Sequence, residues 1–182
     1  MPSSEGRNRL SVRAASAADA EACAAIYRPY VTDTAVTFEN DPPSPSEMAG
    51  RIERACRTHA WLVLEDEGRV VGYAYGARFH ARPAYRWACE VSVYLETGRR
   101  RTGGGRALYE ALLRRLSERG YRIAIAGMTL PNEASLGLHD AMGFTPVGTY
   151  RRIGYKLGRW HDVAWTELRL AVDDDGPPPE PS

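Results

Sequence analysis

Glu90 stands in the segment Trp87-Ala88-Cys89-Glu90-Val91, one strand-length before Arg99-Arg100-Arg101-Thr102-Gly103-Gly104-Gly105-Arg106. A carboxylate among apolar and aromatic neighbours is partly withdrawn from water, which raises its pKa and suits it to take a proton from an amine. Pattern alone also fits an ordinary outward-facing strand glutamate. In the second feature, glycines let the backbone pass close to a bound group and leave several N–H groups free at a helix start. The helix dipole and the three arginines favour an anion of phosphate type there.

Three anion-binding turns share these ingredients, and residues separate them. A nucleoside-triphosphate loop needs Lys-Ser or Lys-Thr after its last glycine, where Arg106-Ala107 stand. A dinucleotide fingerprint from Gly103 needs a small residue at Leu108 and an acidic one about 20 positions on, where Ile123-Ala124-Ile125 stand. Arg100-x-x-Gly103-x-Gly105 after a strand remains, beside the alternative of a solvated, charged loop.

The elements that must position these residues follow from periodicity. Leu10–Arg13 reads as a first strand, and Ser16 or Asp19 can cap an alanine-rich helix with Ala22, Ile26 and Tyr30 on one face. Thr32–Phe38 interrupts helix, Pro42–Pro45 is a stiff connector, and Ser46 with Glu47 opens a second helix. Trp61–Glu65 and Val70–Ala77 form a hairpin, and a basic aromatic loop, Arg78–Arg86, leads into the Trp87–Leu95 strand. Leu108, Leu112, Leu113 and Leu116 stripe the next helix, which Gly120 ends. Arg122–Met128 is an apolar strand; Asn132 then caps a helix placing Leu136, His139 and Gly143 on its own face. Thr145–Ile153 and Trp160–Leu170 close the domain across a Gly154–Gly158 link.

The 182 residues and the net charge of +1 imply one mixed α/β domain and argue against nucleic acid or membrane recognised by bulk charge. Residues 1–9 read as a flexible N-terminus, 10–172 as the domain, and 173–182 as an acidic, Pro-rich tail unable to fold. Cys23, Cys56 and Cys89 read as reduced core thiols, no Cys/His metal spacing occurs, and the absence of a signal or spanning segment makes a cytoplasmic protein the default.

Several separated stretches carry a family resemblance in order: Thr37-Phe38, Trp61-Leu62-Val63, Ala81-Arg82-Pro83-Ala84-Tyr85-x-Trp87, Glu90–Tyr94, Arg100–Gly105, Leu130-Pro131-Asn132, His139–Phe144 and Gly158–Val163. The chain resembles the GNAT superfamily of N-acetyltransferases, in its phosphinothricin and methionine sulfoximine branch. That resemblance implies a mixed, mostly antiparallel sheet of about seven strands, splayed at the middle and flanked by about four helices. It also implies acetyl-CoA as donor, a small anionic amino acid as acceptor, and a homodimer.

Residue roles follow from the resemblance. Backbone groups of Val93 and Leu95 would hold the pantetheine arm. Arg100, Arg101, Thr102, Gly103, Gly104, Gly105 and Arg106 would bind the pyrophosphate, and Asn132 would reach the coenzyme. Glu90 would be the general base, and His139 an acid or second base facing the thioester. Arg82 would fork onto one acceptor anion, with Phe38, Tyr85 and Tyr94 as walls. Gly104 departs from the family, which carries a bulkier apolar residue there. His59, His80, Arg78 and Arg86 read as surface, Tyr30 and Tyr73 as core, and His161-Asp162 as structural or a dimer contact. Another amine acceptor, or a non-catalytic acyl-CoA-binding module, stands as the alternative.

Overall fold

The computed structural model describes residues 10–99, 102–171 and 178–182. Its apolar runs become seven strands: Leu10–Ala14 (β1), Ala60–Asp66 (β2), Arg69–Arg78 (β3), Ala88–Leu95 (β4), Ile123–Thr129 (β5), Thr145–Lys156 (β6) and Arg159–Arg169 (β7). They form one sheet in the order β1-β2-β3-β4-β5-β7-β6. Every neighbouring pair is antiparallel except β4 with β5.

Strand alternation sends successive side chains to opposite faces, so each face gathers its own core. On one face Trp61, Val63 and Tyr73 pack under the helices Ala20–Thr32 (α1) and Pro45–Thr58 (α2), which contribute Cys23, Ile26, Tyr27, Val31, Met48 and Ile52. On the other, Leu62, Leu64, Ala74 and Val91 meet the leucine stripe of Gly104–Glu118 (α3). Leu108, Leu112 and Leu116 are fully buried, and each contributes about 1.5–3 kcal/mol by leaving water. The short helix Glu133–Ala141 (α4) lies on this side, with Leu138 against the same core.

Local chemistry moves several boundaries. The second helix begins at Pro45 rather than Ser46, because Ser44 and Glu47 form a reciprocal capping box with proline at the first helical position. The β6–β7 link shrinks to Leu157-Gly158, both at positive φ (50° and 77°), a two-residue turn that matches strand twist. Gly143 lies past the end of α4, at φ 85°, so it does not share the helix face with His139.

His59 is buried rather than exposed, stacked on Tyr121 at 4.8 Å, and desolvation with nearby Arg119 and Arg78 pushes its pKa down to about 4. The tail expected not to fold is partly ordered. Pro179 O accepts from Trp87 Nε1 (2.9 Å), Glu180 pairs with Arg86 (2.7 Å), and the Ser182 amide donates to Arg119 O (2.9 Å). An aromatic donor and an arginine at the start of β4 supply the contacts that the tail cannot make with itself.

Candidate active site

The opening of α3 is built as an anion cradle. Gly103 takes φ 80°, and the first helical bond runs from the Ala107 amide to Gly103 O (3.0 Å). The amides of Gly104, Gly105 and Arg106 therefore have no partner within the helix. Gly104 packs closely on the core: a Cβ there would stand 2.5 Å from Leu64 Cδ2, so the leucine side chain would have to move. Arg99 is not part of the cradle's charge. Its guanidinium pairs with Asp66 (2.7 Å) and Glu96 (3.1 Å), and Glu96, also held by Arg69, falls to a pKa of about 2. Arg106 pairs with Glu110 (2.8 Å), while Arg100 and Arg101 lie outside the described residues.

The parallel β4–β5 pairing extends only over Ala88–Glu90 with Ile123–Ile125, after which the strands part. The Glu96 amide donates to Val71 O, so by antiparallel alternation Val93 and Leu95 turn their edge groups toward the gap. The Leu95 carbonyl already accepts from the Tyr30 hydroxyl (2.7 Å). Tyr30, expected as core, thus reaches the gap's edge.

Glu90 sits where the gap opens, half-buried, opposite Ala77 on β3 and Ile125 on β5. Its carboxylate forms no hydrogen bond or ion pair with any other described residue, and burial alone raises its pKa. Tyr75 and Tyr109 both feel its charge. It is a desolvated carboxylate with free lone pairs, the state a general base requires.

His139, expected as an acid or second base facing the thioester, lies in the interior. It is 3% exposed. Nδ1 donates to Ser135 O (2.7 Å), which leaves Nε2 to accept from the Tyr109 hydroxyl (3.0 Å). Rings of Tyr109 and Phe144 meet it edge-on, and desolvation lowers its pKa, so the ring is held neutral in one tautomer. Asn132 caps α4, its Oδ1 accepting from the Ser135 amide (3.2 Å).

Of the four expected acceptor residues, Arg82 and Tyr85 share one turn, the Tyr85 amide donating to Arg82 O (3.1 Å), and Phe38 and Tyr94 lie on other elements. Tyr94 meets Tyr27 and Tyr30 edge-on and Tyr73 at a tilt. Phe38 lies over Gly154 beside His161, on a loop tied down by Lys156 Nζ to Thr37 O (2.8 Å) and by the Arg51–Glu39 pair (2.7 Å). Tyr85 packs on Phe79 and His80, and Arg82 is exposed without a carboxylate partner among the described residues. Phe79 in turn meets Trp165, whose ring covers Gly127 on β5.

Residues 12–165 match the acetyltransferase (GNAT) domain family. The chain belongs to that family. The phosphinothricin N-acetyltransferase of Streptomyces viridochromogenes is 40% identical over 159 residues, covering 87% of each chain. The L-methionine sulfoximine/L-methionine sulfone acetyltransferase of Salmonella typhimurium is 30% identical, over 88% of this chain and 95% of its own. Among solved structures, a phosphinothricin acetyltransferase from Sinorhizobium meliloti in complex with acetyl-CoA superposes with a TM-score of 0.89 at 37% identity, covering 94% of each chain.

The GNAT donor is acetyl-CoA, and this chain's features fit it: free amides and missing Cβ atoms at the α3 start suit a pyrophosphate, and the parted edge of β4 suits an extended arm. No group of three or more His, Cys, Asp or Glu side chains among the described residues could hold a metal. No helix among them is long and apolar enough to cross a membrane. Sequence reasoning missed Tyr75, Tyr109 and Trp165. Tyr109 was legible in part, because Leu108 and Leu112 bracket it on the buried side of α3. Tyr75 and Trp165 looked like any strand aromatic.

Proposed function

We propose that this GNAT enzyme transfers acetyl from acetyl-CoA to the α-amino group of a small anionic amino acid of the phosphinothricin or methionine sulfoximine kind. The observation that carries the reading is Glu90, a half-buried carboxylate with no hydrogen-bond or ion-pair partner among the described residues, at the point where β4 and β5 part. Bound acetyl-CoA supplies the thioester. Gly103, Gly104, Gly105 and Arg106, with Thr102, Arg100 and Arg101, hold its pyrophosphate, and Val93 and Leu95 align its arm, with Asn132 at the α4 start beside it. Glu90 removes a proton from the acceptor ammonium, directly or through a water, so that the free amine attacks. Backbone amides at the parting of the strands polarise the carbonyl.

His139 acts through Tyr109, whose buried hydroxyl it fixes through Nε2 (3.0 Å). Arg82 binds one acceptor anion, and Phe38, Tyr85 and Tyr94 enclose the rest. Direct transfer agrees with the thiols: burial pushes Cys23 and Cys89 up to about 12 and raises Cys56 as well, which disfavours a thiolate near neutral pH at all three. The likeness to phosphinothricin and methionine sulfoximine acetyltransferases supports the substrate class. A homodimer is supported by the exposed apolar side chains of the β6–β7 hairpin, among them Tyr150, Ile153, Tyr155, Leu157 and Trp160.

A panel of amino acids followed by thiol release tests the substrate class. Turnover is expected with phosphinothricin or methionine sulfoximine, and activity confined to polyamines or other amines without a carboxylate would refute the assignment. A second expectation concerns Phe38. A Cβ at Gly154 runs into the Phe38 ring, so Gly154→Ala should displace it and raise the acceptor KM several-fold with little change in the donor KM. Steady-state kinetics in both substrates reads this.

A further inference from the structure

Glu90 shares a face of the sheet with a tryptophan two strands away. It stands opposite Ile125, and two residues further along β5 Gly127 stands opposite Trp165 on β7. Alternation puts all four positions on one side, while Cys89, Val91, Ala124 and Ala126 turn to the α3 core. The indole leaves its own strand. A Cβ at Gly127 would meet Cη2, Cζ2 and Cζ3 of Trp165 at 3.0, 3.1 and 3.2 Å, so the six-membered ring lies against β5.

Phe79 reaches it from the other side. In the sheet order β3 and β7 stand three strand spacings apart, roughly 14 Å. Phe79 immediately follows β3, yet its ring centre is 6.3 Å from that of Trp165, with 71° between the planes. With the indole on β5, the phenyl ring lies over β4. Their levels along the strands bracket the carboxylate. Phe79 follows Arg78, the partner of Cys89, and so stands level with Ala88, whereas Gly127 lies two residues past Ile125, the partner of Glu90. The line between the rings therefore crosses Glu90 where β4 and β5 part. Tyr85 meets Phe79 edge-on at 5.9 Å, which ties this pair to the turn that carries Arg82.

The surroundings agree with a role beyond packing. Trp165 Nε1 is buried with no hydrogen-bond partner among the described residues, so ring contacts alone hold the indole on β5. The titratable groups on the elements around Glu90 are Tyr75 of β3, Tyr94 of β4, Glu167 of β7, Arg51 of α2, and His80, Arg82 and Tyr85 of the loop after β3. On this face β5 presents only Ile123, Ile125, Gly127 and Thr129. None of these groups moves the Glu90 carboxyl, which burial alone shifts upward.

We propose that Trp165 and Phe79 form an apolar arch over the parting of β4 and β5 that keeps bulk water from Glu90, which makes them positioning residues for the general base. The inference rests on Glu90 serving as that base in the proposed acetyl transfer. Excluding water disfavours the bare carboxylate, so the arch strengthens Glu90 as a proton acceptor and leaves its lone pairs to the acceptor ammonium.

The test reads Glu90 directly. Protein with an isotopic carbon label in its glutamate carboxyls is titrated by NMR, the Glu90 resonance being the one absent from Glu90→Gln. Its midpoint is compared in the wild type, Trp165→Leu and Phe79→Leu. Both replacements are expected to bring the midpoint down toward the ordinary 4.5, by about 0.5–1 pH unit, because water regains the carboxylate. The acid limb of kcat/KM should move by the same amount, with the acetyl-CoA KM within about twofold of wild type, a split that general loosening of the fold does not produce. Trp165→Phe keeps a ring at this position and should restore most of the midpoint; it and Phe79→Leu carry the test if Trp165→Leu melts below the assay temperature. An unchanged midpoint in the folded variants overturns the arch and leaves Glu90 as base. A wild-type acid limb that does not follow the Glu90 midpoint, or a wild-type enzyme that acetylates no amino acid, overturns the base itself whatever the midpoints show.

Discussion

Replacing Glu90 with Gln is expected to lower turnover by about 10²- to 10⁴-fold while leaving acetyl-CoA affinity near wild type. The amide keeps the size and polarity of the side chain and removes the basic oxygen pair. The same change removes the acid limb of the pH profile. Burial raises the Glu90 pKa above the ordinary carboxylate value of 4.5, so the wild-type rate falls as pH drops through that raised value and the carboxylate takes a proton. The protonated fraction cannot accept the substrate's proton, whereas the glutamine variant does not titrate there. Titration calorimetry with the coenzyme and a pH series of kcat/KM check both parts. Retained turnover in the variant would remove Glu90 from the mechanism, and loss of coenzyme affinity would make its role structural. A protein that only binds acyl-CoA would show no dependence on this residue.

His139→Ala carries the second large expectation, which is chiefly one of stability. The imidazole is 3% exposed and fills the space between Tyr109 and Phe144. Its removal leaves a cavity and strands the buried Tyr109 hydroxyl, for a combined cost of about 3 kcal/mol. For a chain of this size that lowers the melting temperature by roughly 6–12 °C. Tyr109→Phe keeps the ring and leaves only Nε2 unpaired, so it should cost about 1–3 kcal/mol, and the double variant should cost less than the two summed. A freestanding acid at position 139 would give wild-type stability and a loss confined to kcat.

The pH dependence has a definite sign. The folded His139 pKa is depressed below 6.5, so the unfolded chain binds a proton that the folded chain refuses. The stability contributed by the neutral ring is therefore lost as pH falls from about 6.5 toward the folded value. The alanine variant lacks this component. Thermal melts at a series of pH values measure it.

Much of the architecture was legible because its signals are local. The leucine stripe of α3, the β2–β3 hairpin around Asp66–Arg69 and the Asn132 cap depend on spacings of a few residues, and the folded chain keeps them. The errors arose where a reciprocal local cap or a distant partner decides. Ser44 caps α2 in place of Ser46 because Glu47 lies three residues beyond it and reaches back. His59 is buried by Tyr121, and the last residues are ordered by Trp87 and Arg119, contacts across more than sixty positions.

The sequence by itself determined the family, the glycine turn with its free amides, and the carboxylate one strand before it, since each is a run of neighbouring residue types whose chemistry is independent of what packs against them. Only the tertiary structure decided that Arg99 is consumed by Asp66 and Glu96, that both nitrogens of His139 are occupied, and that Glu90 is desolvated without a hydrogen bond or ion pair to another described residue. The reason is physical: whether a charge or a ring nitrogen is available for chemistry depends on its hydrogen-bond partners and its access to water. Those are set by strands and helices that meet only when the sheet assembles.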